Sequence, residues 1–92
     1  MKVKVIERSY KEVETDIELP VYLYFQDELC NDQLVAITDE GRLEIKFTYG
    51  SLIIEKSAVK AVEEHHLKNN LTTKEHFMEV YREALRNISK VN

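Results

Sequence analysis

The sequence predicts an α+β fold: an antiparallel β-meander of four to five strands with a long C-terminal amphipathic helix packed on one face. Three observations carry that expectation. Val13, Thr15, Ile17, Leu19, Val21, Leu23 and Phe25 take every odd position of one stretch, the period of two of an extended chain with one face on a core. Downstream, short apolar runs alternate with tight-turn signals, so hairpin follows hairpin. From Phe77 onward the apolar residues change to helical spacing.

In chain order, residues 2–8 alternate briefly, with Val3 and Val5 opposed to Lys2 and Lys4. They read as a first strand at a sheet edge, where outward lysines discourage edge-to-edge pairing. Ser9, Tyr10 and Lys11 turn the chain into the long alternating stretch. At roughly 3.3 Å per residue, residues 12–26 would span about 50 Å if straight, beyond ordinary strand lengths. Pro20 has no amide hydrogen for a central ladder, so the stretch is expected to bend or divide there. Its acidic half, residues 12–19, faces water, and residues 21–26 form a more buried half.

Residues 34–38 read as a short apolar strand, followed by the hairpin loop Asp39-Glu40-Gly41 with glycine where positive φ is needed. Residues 42–48 alternate, placing Leu43, Ile45 and Phe47 on one face. Tyr49-Gly50-Ser51 is a second tight turn. Leu52, Ile53 and Ile54 make the last strand of the meander, apolar on both faces and therefore expected in the interior.

Residues 57–71 read as a short helix capped by Ser57, with Val59, Val62 and His66 on one side. A sixth strand through Val59 and Ala61 is the alternative. Thr72-Thr73-Lys74-Glu75 has the spacing of a capping box, in which a threonine hydroxyl and a glutamate three residues on satisfy each other's amides. After it, Phe77, Val80, Tyr81, Ala84, Leu85, Ile88 and Val91 fill one stripe of a helix over 73–90, opposite Glu75, Glu79, Arg82, Glu83, Arg86 and Lys90. Laid across one sheet face, this helix closes the core. Tyr22, Tyr24 and Ile53 are expected on the other face, which is apolar enough to require a cover, either the 57–70 segment or a second subunit.

The 92 residues make one domain, 1–92. With 43% hydrophobic and 33% charged residues, the chain can bury a modest core and is not of disordered composition. Seventeen acids against thirteen bases give a net charge of −4, which disfavours nucleic acid and anionic membrane surfaces as partners. The opening Met-Lys-Val-Lys-Val lacks the apolar core of a signal peptide, and no apolar run nears the about 20 residues of a membrane helix. A cytoplasmic setting is expected. Two glycines leave no room for glycine-rich phosphate loops or dinucleotide fingerprints.

Four groups of residues are candidates for chemistry or recognition. His65, His66 and His76, near Glu63 and Glu64, are the only cluster with the donor types of a zinc or other first-row metal site. Adjacent histidines on a helix point about 100° apart, and no His-Glu-x-x-His motif is present. Exposed histidines around a helix–helix turn, with no metal or other cofactor, are therefore expected. Glu12, Glu14, Asp16 and Glu18 share one strand face and read as a solvated acidic edge, or secondarily as a docking surface for a basic partner. Cys30, the only cysteine, lies among acids that disfavour a thiolate, and reads as a structural thiol in the polar 26–33 loop. Tyr22 and Tyr24 read either as core packing under a helix or, being of the residue type enriched where an apolar body meets water, as an oligomer or partner surface.

No constellation of catalytic residues stands out, so a non-enzymatic role is favoured over an enzyme. The expected function is a protein–protein interaction or homodimerisation module, its surface formed by Tyr22, Tyr24, Glu14, Asp16 and Glu18. The alternative is a small-ligand or metal-binding protein, or an enzyme, using the His65, His66 and His76 region.

Overall fold

Three layers build the domain: a small sheet, a larger sheet and one long helix. The computed structural model describes residues 1–29, 31–48 and 51–91, with side chains as far as Ile88. The reading of Cys30, and that of the turn at Tyr49 and Gly50, lie outside the described residues.

In chain order the elements are β1 (Lys2–Ile6), β2 (Glu12–Asp16), β3 (Val21–Gln26), β4 (Asp32–Thr38), β5 (Gly41–Thr48), β6 (Ser51–Ser57), β7 (Ala61–Glu63), α1 (Glu64–Asn69), β8 (Leu71–Thr72) and α2 (Lys74–Val91). The larger sheet is antiparallel, with strand order β6-β5-β4-β3-β8, and α2 lies over β3 and β4. This is the predicted meander with its C-terminal helix. The small sheet, β2-β1-β7, is an addition to it, with β1 antiparallel to β2 and parallel to β7. No helix among the described residues is long and apolar enough to cross a membrane.

Each face of the large sheet seals a core. Val21, Leu23, Val35 and Ile37 meet Val3, Val5 and Val62 of the small sheet, with Ile17, Leu19, Phe25 and Leu67 at the margin. Leu34, Ala36, Ile45 and Phe47 meet Phe77 and Ala84 of α2. Leu34, Val35, Ala36 and Ile37 are consequently buried in succession, because β4 is covered on both sides.

The alternating stretch divides at Pro20 as expected, which follows Leu19 through a cis peptide bond. Its two halves enter different sheets: β2 is the exposed acidic edge of the small one, and β3 runs inside the large one. Gly41 takes φ 139° at the start of β5, where any Cβ would run into the Ser57 carbonyl.

Five expectations are corrected. β1 is the centre of its sheet, not an edge; its lysines mark the solvent face while Val3 and Val5 enter the core. β6 is the outer strand of the large sheet and is exposed along its whole length, because α2 covers β3 and β4 instead. Ser57 ends β6 and accepts the Val59 amide at 3.1 Å, so it caps no helix. Burial of Val62 and pairing with β1 keep residues 61–63 extended, and α1 begins only at Glu64. The cap of α2 is Thr73, whose hydroxyl accepts the His76 amide at 3.1 Å; Thr72 is held in β8 opposite Tyr22, which shifts the motif by one residue and leaves Glu75 out of it.

A further correction concerns the tyrosines. Tyr22 pairs with Ala36 and Tyr24 with Leu34, so both point to the α2 side, and the Tyr22 ring lies 5.1 Å from that of Phe77. The chain's own helix covers them. The opposite face is covered by the small sheet.

Candidate metal centre

Residues 61–70 are held from three sides. β7 pairs with β1 through Ala61, Val62 and Glu63. Arg42 on β5 donates to the Ala61 carbonyl while its Nε and Nη2 hold Glu44 Oε1 at 3.0 and 2.6 Å. After α1, Asn70 bonds both backbone groups of Tyr24: its carbonyl accepts the Tyr24 amide at 3.0 Å, and its Nδ2 donates to the Tyr24 carbonyl at 3.1 Å. The strand-to-helix junction at Glu63 is thus fixed to both sheets.

At that junction Glu63 has extended backbone angles, φ −79° and ψ 136°, and its side chain makes no cap to the helix. Its Oε2 lies 3.5 Å from His65 Nε2. The His65 and His66 rings stand 4.1 Å apart, and one ligand atom from each of Glu63, His65 and His66 falls within 4.8 Å of the others. Sequence spacing alone separates adjacent helical histidines by about 100°. The two rings nonetheless meet in the first turn of α1, directly after the last residue of β7.

His66 is the inner member. Its ring stands edge-on to Phe25 at 4.6 Å, and its Nδ1 is buried with no hydrogen-bond partner. Burial holds its pKa below the ordinary histidine value; neighbouring His65 pushes in the same direction, Glu63 opposes and Arg42 adds to the lowering. That shift favours the neutral ring, the form that ligates metals. His65 and Glu63 are open to solvent, with side chains 63% and 47% exposed, so an ion can reach them.

His76, grouped with this pair from sequence, lies elsewhere. It packs on Tyr24 with ring centroids 5.1 Å apart, and its Nδ1 meets the Thr72 hydroxyl at 2.8 Å. Tyr24 and Phe25 point to opposite faces of β3, which puts His76 and His66 on opposite sides of the sheet. Glu64, the other carboxylate nearby, pairs with Lys68 at 3.0 Å.

The remaining candidates are also placed. Glu12, Glu14, Asp16 and Glu18 are exposed, with Asp16 bonded to the N-terminal ammonium at 2.9 Å. The stretch expected as a loop over 26–33 is shorter, since Gln26 belongs to β3 and Asp32 and Gln33 to β4, and Asp27 uses its oxygens within it: Oδ1 accepts the Leu29 and Asn31 amides at 2.9 Å, and Oδ2 accepts Asn31 Nδ2 at 3.1 Å. Those bonds, the Asn31 amide first, hold the Asp27 carboxyl below its ordinary pKa.

No protein-family model matches the chain, and no curated protein or solved structure matches it. Fold and site define its class: a small α+β domain carrying a Glu-His-His cluster at a strand–helix junction.

Proposed function

We propose that this protein is a metal-binding domain whose ligands are Glu63, His65 and His66. The observation that carries the reading is the convergence of three ligand atoms within 4.8 Å from two imidazoles and a carboxylate. Tetrahedral zinc with bonds of 2.0–2.2 Å spaces its ligand atoms about 3.4 Å apart. The Glu63–His65 separation of 3.5 Å already matches that spacing, and modest rotation of exposed side chains brings in the third ligand. The orphaned Nδ1 of His66 supports the reading, since a buried polar atom without a partner calls for an explanation. Two imidazoles and a carboxylate suit zinc and its first-row neighbours rather than calcium or magnesium, which prefer all-oxygen sites. Three protein ligands leave a coordination position for water or a small molecule.

The test is calorimetric titration of tag-free, chelator-treated protein with zinc, nickel and manganese. One equivalent bound, with affinity reduced more than tenfold in His65→Ala and in Glu63→Gln, supports the reading. Absence of binding, or binding indifferent to both substitutions, removes it.

A further inference from the structure

Among the described residues the two sheets expose four lateral strands: β2 and β7 in the small sheet, β6 and β8 in the large one. β2 is lined with exposed acids, β7 has three residues and β8 two. Charge and brevity are the ordinary defences of a sheet edge against pairing. β6 has neither at its centre. It is seven residues long and has no proline, and Leu52, Ile53 and Ile54 stand in succession, 36%, 46% and 48% exposed. Every second residue of such an edge turns its amide and carbonyl outward, ready for strand addition.

We infer that β6 pairs with β6 of a second copy of this chain, antiparallel about a two-fold axis through Ile53, joining two five-stranded sheets into one of ten strands. The choice of occupant rests on self-complementarity. A two-fold normal to the sheet keeps each face on its own side, so the axis must pass through a residue and opposed residues share parity. Centred on Ile53, the register opposes Ile53 to itself, Leu52 to Ile54 twice and Ser51 to Glu55, and every exposed apolar side chain meets an apolar one. Centred on Ile54, it opposes Leu52 to Lys56 and Ile53 to Glu55. Centred on Glu55, it opposes two carboxylates, which is destabilising.

The register is also continuous with the existing core. Leu52 and Ile54 pair within the chain with Phe47 and Ile45, both buried under α2. Pairing across the edge extends that apolar strip into the second copy. Contact confined to one strand buries less than the about 1,000 Å² of a stable complex, so the dimer forms reversibly and with rising concentration.

Cysteine cross-linking tests both the dimer and its register. Opposed Cα atoms of an antiparallel pair lie about 4.5–5.5 Å apart, inside disulfide reach, whereas the two Glu55 residues would be about 13 Å apart along the strands. In a Cys30→Ser background, mild oxidation of Ile53→Cys is expected to give a covalent dimer of twice the 10.8 kDa chain mass, at least tenfold faster than Glu55→Cys. Ile53→Lys is expected to abolish the concentration-dependent rise in mass seen by sedimentation. Equal cross-linking rates at 53 and 55 overturn the inference. So does a protein of monomer mass at every concentration with no cross-linked product from Ile53→Cys, including the case in which β6 binds only another protein or peptide.

Discussion

The ring of His66 stands edge-on to Phe25, with centroids 4.6 Å apart, and its Nδ1 is buried without a hydrogen-bond partner. Phe25 is thus a wall beside the inner residue of the proposed site. Phe25→Ala keeps all three proposed ligands but removes the wall. It is expected to weaken zinc binding about tenfold, the range of outer-shell effects, and to cost about 2 kcal/mol for a half-buried aromatic. Calorimetry and urea unfolding of the same variant separate the two effects.

His76 provides the internal control. It sits on the other side of β3, against Tyr24 and Thr72. His76→Ala is expected to leave zinc affinity unchanged while costing about 1 kcal/mol for the lost hydrogen bond, a fall in Tm of roughly 4–8 °C for a domain of this size. Thermal unfolding and titration of this variant check both halves of the statement.

The lowered pKa of His66 makes stability depend on pH. The unfolded chain takes up the proton near pH 6.5, whereas the folded chain resists it, chiefly through burial of the ring. The stabilisation is therefore complete above about pH 6.5 and is lost as pH falls through the folded value. With chelator present, the urea midpoint is expected to drop between about pH 7.5 and 5, and to drop less in His66→Gln, whose side chain does not titrate.

The cap of α2 gives a prediction that separates the sequence pattern from the structure. Thr73→Ala is expected to cost about 1 kcal/mol. Glu75→Ala, central to the expected capping box, is expected to cost only a few tenths, the scale of an exposed substitution. Chemical denaturation of the two variants side by side decides which threonine caps the helix.

Periodicity made the large sheet and α2 legible, because the alternation of Leu43, Ile45 and Phe47 and the stripe from Phe77 to Ile88 each encode one buried face. Pro20 likewise marked where the long stretch divides. The small sheet was hidden, since its parallel partner β7 has only three residues and pairs with β1 across more than fifty positions of sequence. β6 misled for a different reason: three apolar residues in a row read alike whether a strand is interior or an unpaired edge. The proposed metal ligands were visible as residue types, but their convergence lies at the junction where β7 ends at Glu63 and α1 starts at Glu64. There Glu63 is still extended while His65 and His66 share the first turn.

The most direct measurement is the ring nitrogen spectrum of ¹⁵N-histidine-labelled protein during zinc titration. The His65 and His66 signals are expected to shift and saturate at one equivalent, with those of His76 unmoved. Saturation without a response from His65 and His66, or an equal response from all three histidines, would contradict a metal centre at the β7–α1 junction.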